Sequence, residues 1–175
     1  MSLFDQCLAV VVDSEGGFSR DARDPGNWTG GRCGAGALNG TKFGISAAAY
    51  PDEAIEALTF AQAGALYRRD FWDRVAGDQL PPPLALLVFD AAVNNGVARA
   101  ACWLQAALGV AQDGAIGPGT LAALHARAGE GAALCAEYLA LRLAFMAGLP
   151  TWRAFGAGWA RRLCRLPYQS LALTA

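Results

Sequence analysis

Apolar residues recur at three- and four-residue spacing from the start of the chain. Leu3, Phe4, Cys7, Leu8, Val11 and Val12 make one helical face. Ser2 stands at a cap position and Asp5 three residues later, the spacing of a capping box. Gly16 and Gly17 are expected to stop this helix, which leaves Glu15 at its end. Residues 16–46 then break the pattern. They hold nine glycines and the turn Asp24-Pro25-Gly26, and only Lys42-Phe43-Gly44-Ile45 reads as a strand. An irregular loop or small hairpin is expected there.

From Ala47 onward the pattern predicts helix almost throughout. A run begins at Thr59 and continues to Val75. Pro81-Pro82-Pro83 sets up a helix from about Leu84 to Asn95, closed by Gly96. Further helices are expected over 97–108, from Gly117-Pro118 to about Ala128, over 132–147 and over about 151–165. The fold class is therefore mainly α: a helical lobe with a small irregular loop or hairpin, and a packed C-terminal helical part. No stretch reads as a linker, and the expected division is 1–96 and 97–175.

Composition narrows the function. Hydrophobic residues make up 54% of the 175, enough for a core at this size. The net charge of -1 lacks the basic footprint of a nucleic-acid binder. Arg153, Arg161, Arg162 and Arg165 crowd the C-terminus and read as a solvated helix face. The five cysteines include no C-x-x-C pair, and their odd number argues against a complete disulfide framework. Cys7, Cys102 and Cys135 read as buried, and Cys33 as exposed. His125 is the single histidine, too few for a zinc amidase and without an evident nucleophile turn for a cysteine peptidase. No metal or cofactor is expected. No signal peptide is evident, and the expectation is synthesis in the cytoplasm.

Glu15 carries the chemistry. A carboxyl at the end of an apolar helix, followed by two glycines, is placed to be shielded on one side and open to a bulky ligand on the other. Desolvation favours its protonated form, as protonation of a glycosidic oxygen requires. Asp24, before Pro25-Gly26, is the candidate second group, to place water or balance charge, and Asp21 competes for that role. Thr41 is a candidate to orient water. Trp28, Phe43, Tyr67 and Asn94 are candidate substrate contacts, whereas Trp72 and Trp103 read as core. Asp90 and Asn94 lie four apart on one helical face, and Asp90 is expected to brace the Glu15 segment.

The run Glu15-Gly16-Gly17-Phe18, then Asp24-Pro25-Gly26, then Thr41-Lys42-Phe43-Gly44-Ile45-Ser46 resembles glycoside hydrolase family 108. Tyr67-Arg68-Arg69-Asp70-Phe71-Trp72 and Phe89-Asp90-Ala91-Ala92-Val93-Asn94-Asn95-Gly96 continue the likeness. Leu104 to Gly109, Asp113-Gly114-x-Ile116-Gly117-Pro118-x-Thr120 and Gly158-Trp159-x-Arg161-Arg162 resemble the helical peptidoglycan-binding region that follows in such proteins. The resemblance implies an N-acetylmuramidase, often a phage endolysin, that cuts the β-1,4 bond between N-acetylmuramic acid and N-acetylglucosamine. Glu15 maps onto the family's catalytic acid. The wider lysozyme superfamily pairs such a glutamate with an aspartate and a threonine, which Asp24 and Thr41 match. Thr29 is the closer match to that threonine by spacing alone, and the segment from Trp28 to Thr41 is longer than the family's loop. The implied partner is the peptidoglycan glycan strand, met by a monomer after release through a holin-type pore into the periplasm or cell wall. The competing reading is a peptidoglycan-binding module without catalysis.

Overall fold

The computed structural model describes residues 1–12 and 17–173. Glu15 and Gly16 lie outside the described residues. Among those described, seven α-helices and one two-stranded sheet are present, a mainly α, lysozyme-like architecture. The chain divides into two compact units, Leu8–Tyr67 and a second made of Met1–Cys7 with Arg68–Ala175.

Helix α1 (Leu3–Val12) opens as its sequence predicts. Ser2 N–H donates to Asp5 Oδ2 at 2.9 Å, and Asp5 N–H donates back to Ser2 Oγ at 3.2 Å, a closed capping box. The first unit continues through a loop held by turns and isolated bridges, Ser19 with Thr41 and Trp28 with Leu38. The small hairpin expected here is present, β1 (Thr41–Lys42) paired antiparallel with β2 (Ile45–Ser46), but residues 42–45 span its turn and parts of both strands and are not one strand. Phe43 and Gly44 form its two-residue turn, both at positive φ (51° and 75°), the backbone of a type I′ turn.

Residues 47–59 also depart from expectation. Helix does not start at Ala47. The Ala47 and Ala48 N–H groups donate to the Gly40 and Gly26 carbonyls, Ala49 closes a turn on Ser46, and a short 3-10 turn, Ile55–Ala57, follows Pro51. Proline lacks the N–H that a helix interior needs, and the preceding residue avoids helical backbone. Helix α2 (Phe60–Tyr67) begins behind a second capping box, Thr59 with Gln62.

The second unit is a helical bundle. The run expected to reach Val75 leaves α geometry at Arg68. It becomes a π turn, Arg68–Trp72, and a 3-10 turn, Asp73–Val75. Helix α3 (Pro82–Asn95) starts on the expected prolines and packs on α4 (Val97–Leu108), α6 (Gly131–Ala147) and α7 (Trp152–Ser170). Trp72 is wholly buried and meets Phe4 and Phe89 edge-on, at 5.5 and 5.4 Å between ring centroids. Trp103 is likewise core, beside Tyr138.

Asp90 is buried in this bundle. Its carboxylate receives Arg142 Nη1 at 2.6 Å and Arg162 Nε at 2.8 Å. Two arginines from α6 and α7 thus share this carboxylate, and the Glu15 segment that Asp90 is expected to brace lies outside the described residues. A carboxylate buried among apolar helices is costly unless such partners meet it. Helix α5 (Pro118–Ala126) is tied to α4 by Gln105. Its Nε2 reaches Asp113, the Ala115 carbonyl and Thr120, while its Oε1 accepts from Gly114 N–H. Bonds from Gln105 and the Ala115 N–H hold the Asp113 carboxyl below its ordinary range.

The five cysteines are unpaired. Cys7 is buried and Cys33 exposed, as expected, but Cys102 and Cys135 are only half-buried. No helix among the described residues is long and apolar enough to cross a membrane.

Candidate active site

Within the unit Leu8–Tyr67, Thr41 and the turn that Asp24 caps meet at a residue the sequence did not single out. Asn27 is 0% exposed. Its Nδ2 donates to the Asp21 carbonyl at 3.0 Å, and its Oδ1 accepts from the Thr41 hydroxyl at 2.7 Å. Its own carbonyl accepts from the N–H groups of Asn39 and Gly40, both at 3.0 Å. One amide side chain thus holds the two ends of the glycine-rich segment together. A polar group this deeply buried must be satisfied, and here both ends of the amide are.

Asp24 sits at the entry to this knot. Its Oδ1 accepts from Gly26 N–H at 2.8 Å and caps the 3-10 turn Pro25–Asn27. That is the only hydrogen bond its carboxylate makes among the described residues, and the side chain is exposed. Asp21, the competitor, is engaged by the Arg23 guanidinium, which holds its carboxyl below the usual range. Asp24 is therefore the acid left open to solvent, and Asp21 is neutralised by its neighbour.

Thr41 is half-buried with its hydroxyl proton committed to Asn27, and its backbone pairs with Ser19 in both directions at 2.8 Å. Its oxygen retains lone pairs with which to accept from water. Gly40 beside it has φ +87, and a Cβ there would lie 2.5 Å from the Ser19 carbonyl oxygen, so only glycine permits this approach. Thr29, the alternative by spacing, accepts from Ala37 N–H and closes the 29–37 loop on itself.

Trp28 is half-buried, with its Nε1 donating to the Ala22 carbonyl at 2.9 Å, which fixes the indole and leaves part of it open. Phe43 is half-buried at the hairpin tip, edge-on to Phe60 at 5.6 Å and beneath Lys42 Nζ at 5.4 Å. A bulky residue at positive φ is strained, and such strain persists only where surroundings enforce it. The Tyr67 hydroxyl supplies part of that, donating to the Phe43 carbonyl at 3.0 Å. Tyr67 itself is 3% exposed and has no ring face to offer a sugar. It positions the hairpin instead of stacking. Asn94 belongs to the other unit, where it is exposed and its Nδ2 donates to the Asp90 carbonyl at 2.7 Å.

An open groove of about 470 Å³ runs beside the knot, lined by Arg20, Asn39 and residues 54–57. Arg20 Nε is fixed by the Leu38 carbonyl at 2.9 Å, and its guanidinium stands 4.0 Å from the Glu56 carboxylate. Lys42 Nζ donates to the Glu56 carbonyl at 2.7 Å and pins that wall to β1. The groove thus offers polar donors fixed by backbone acceptors, as suits a hydroxyl- and amide-rich ligand. Asn27 and Arg20 were legible only as polar residues near turns.

Comparison with known proteins fits this geometry. The model of the family described as glycosyl hydrolase 108 matches residues 8–96. A second, described as a predicted peptidoglycan domain, matches residues 99–164. The first match ends at Gly96, between α3 and α4, and the second begins in the first turn of α4, both inside the helical unit. A solved structure of Brucella abortus SagA is similar at 35% identity and TM-score 0.78, covering 97% of this chain and 94% of that one. No curated protein matches the chain.

Proposed function

The chain belongs to the glycosyl hydrolase 108 family, and on that premise we propose that it cuts the β-1,4 bond between N-acetylmuramic acid and N-acetylglucosamine, with Glu15 as the proton donor. That it is a peptidoglycan hydrolase follows from the two matched families together. The finer assignment rests on one observation above all. The Asp24 turn and Thr41 are both anchored to Asn27, in the segment directly following Glu15.

In this reading Glu15 protonates the leaving oxygen as an oxocarbenium-like charge develops on the sugar. Asp24, with one oxygen fixed by Gly26 N–H, supplies the second carboxylate, and the Thr41 oxygen helps seat a water. Trp28 and Phe43 offer apolar surface to sugar faces. Residues 1–96 do the cutting, and 97–175 hold the wall. The same proposal takes the protein as a bacteriolytic endolysin, delivered through a holin-type pore and acting on the wall as an 18.2 kDa monomer.

Purified walls test this directly. Wild type should clear a wall suspension and release muramic acid at new reducing ends. Glu15→Gln should do neither while still sedimenting with walls. New glucosamine ends would reassign the bond. Equal clearing by Glu15→Gln would remove the proton donor, and binding without any new reducing end would leave a non-catalytic module.

A further inference from the structure

The helical unit carries a positively charged furrow that the hydrolytic reading leaves unused. One cavity of about 400 Å³ is lined by Arg99, Arg142 and Arg162 with Asn94, Asn95 and Trp159 among its other walls. A second, of about 490 Å³, shares Asn95 and Arg99 with it and adds Arg74 and Asp70. The two cavities flank the shared Asn95 and Arg99.

Among the described residues the furrow's charge is not balanced from within. Asp90, buried below, meets both Arg142 and Arg162, so one carboxylate serves two guanidiniums. Asp70 is paired with Arg69 at 2.7 Å. Arg74 makes no ion pair among the described residues. Arg99 sits in the first turn of α4, where the helix dipole already presents its positive end. A cation there opposes the local preference, and no acidic residue stands in that turn. Residues placed against local preference point to function. Arg99 is also held ready: Nη1 donates to the Asn95 carbonyl at 3.0 Å, and the guanidinium lies over the Phe145 ring at 4.4 Å. Arg142 Nε is fixed on Asn95 Oδ1 at 2.9 Å. Arg99 is therefore preorganised, which lowers the cost of binding, while the buried Arg142 only adds positive charge beneath it.

We propose that this furrow binds the peptide stem of peptidoglycan through its free carboxylates, with Arg99 as the central contact. The assignment rests on peptidoglycan being the substrate. Peptidoglycan's glycan strand offers hydroxyl and acetamido groups, while its short peptides carry carboxylates along an extended chain. The exposed Arg99 guanidinium, with Arg74 and the half-buried Arg162 beside it, matches carboxylates by paired, charge-assisted bonds. The site would read whether a glycan strand bears peptides and hold the strand by them.

Binding of the full-length protein is measured by calorimetry with three soluble fragments: the disaccharide carrying its peptide, the same with its carboxylates amidated, and the bare disaccharide. The free-carboxylate fragment should bind about tenfold more tightly than the other two, with an advantage that shrinks as salt rises. Arg99→Gln should erase that advantage, and Arg99→Lys should keep part of it, with melting temperatures unchanged in both. Equal binding of all three fragments overturns the proposal, as does an Arg99→Gln protein that still prefers free carboxylates. Because binding is read without turnover, a protein that failed to cut any glycan would sink the hydrolytic reading and leave this one standing or falling by itself.

Discussion

The Arg142 guanidinium meets the Asp90 carboxylate at 2.6 Å with both side chains 1% exposed. Arg162 adds a second contact at 2.7 Å. A pair so buried gains little over a well-packed apolar one, but breaking it strands a charge. Arg142→Met should therefore cost about 3–5 kcal/mol in denaturant unfolding. Asp90→Asn should cost at least as much, since it leaves both Arg142 and Arg162 facing a neutral amide with no carboxylate, whereas Arg142→Met leaves Asp90 paired with Arg162. A loss under about 1 kcal/mol for Arg142→Met would show that solvent reaches the pair.

Much of this bundle was readable in advance. Helix α4 runs over 97–108 as its spacing predicted, because Gly96 and Gly109 bound an uninterrupted apolar period. Helix α3 was announced by its prolines. The ion triad was not readable, since Arg142 and Arg162 come from far downstream and a lone arginine in an apolar helix names no partner. Near Ala47 helix propensity misled: three alanines favour helix, yet Pro51 and the hairpin's own turns decide. Lys42-Phe43-Gly44-Ile45 read as one strand because nothing in phenylalanine signals a positive φ. At the site, residue types were legible and their junction was not. Asn27 is one polar residue in a glycine-rich loop, and only the folded chain shows that it joins Asp21 to Thr41.

That junction predicts an asymmetric result. Asn27→Ala leaves the Thr41 hydroxyl and the Asp21 carbonyl without partners, a loss of about 2–3 kcal/mol. Thr41→Ser keeps the bond and should be nearly neutral in stability and activity. Thr41→Val removes the bond and the water-seating oxygen together, and should lose wall turnover beyond its stability cost of about 1 kcal/mol. Thermal melts beside turnover assays at saturating wall separate the two effects. Equal turnover by Thr41→Val and wild type would discard the threonine from the reaction.

The hairpin tip stores strain at Phe43. Glycine adopts its φ of 51° freely, so Phe43→Gly should relieve strain while deleting the Phe60 contact, with little net change in melting temperature. Wall turnover should fall if the ring touches substrate. Tyr67→Phe keeps the packing and loses only the bond to the Phe43 carbonyl, for about 1 kcal/mol. Should Phe43→Gly keep full turnover, the strain serves the turn alone.

Alkaline pH supplies an independent check of the core. Burial pushes the Cys7 thiol up to about 12 from 9.0, and pushes the Tyr138 phenol upward as well. The unfolded chain releases these protons first, so it binds fewer than the native state as pH rises above about 9. Stability is then full below pH 9 and declines as pH climbs toward 12. Cys7→Ala should flatten that decline in urea midpoints measured from pH 8 to 11. An identical slope in the variant would mean that the thiol is not shielded in solution. Thiol reagents should meanwhile label Cys33 and Cys164, which are exposed, well before Cys7.

Asp24 separates a cap from a catalyst. Its Oδ1 accepts from Gly26 N–H, and asparagine presents an oxygen at the same place. Asp24→Asn should therefore keep the turn and the melting temperature while removing the charge. If the carboxylate balances charge or activates water, turnover should drop at least about 100-fold. Asp24→Ala should lose the same activity and a further ~1 kcal/mol of stability, because the cap goes too. Full activity in the asparagine variant with reduced stability in the alanine one would leave Asp24 as a turn residue. The second catalytic group would then have to be sought elsewhere in the segment after Glu15.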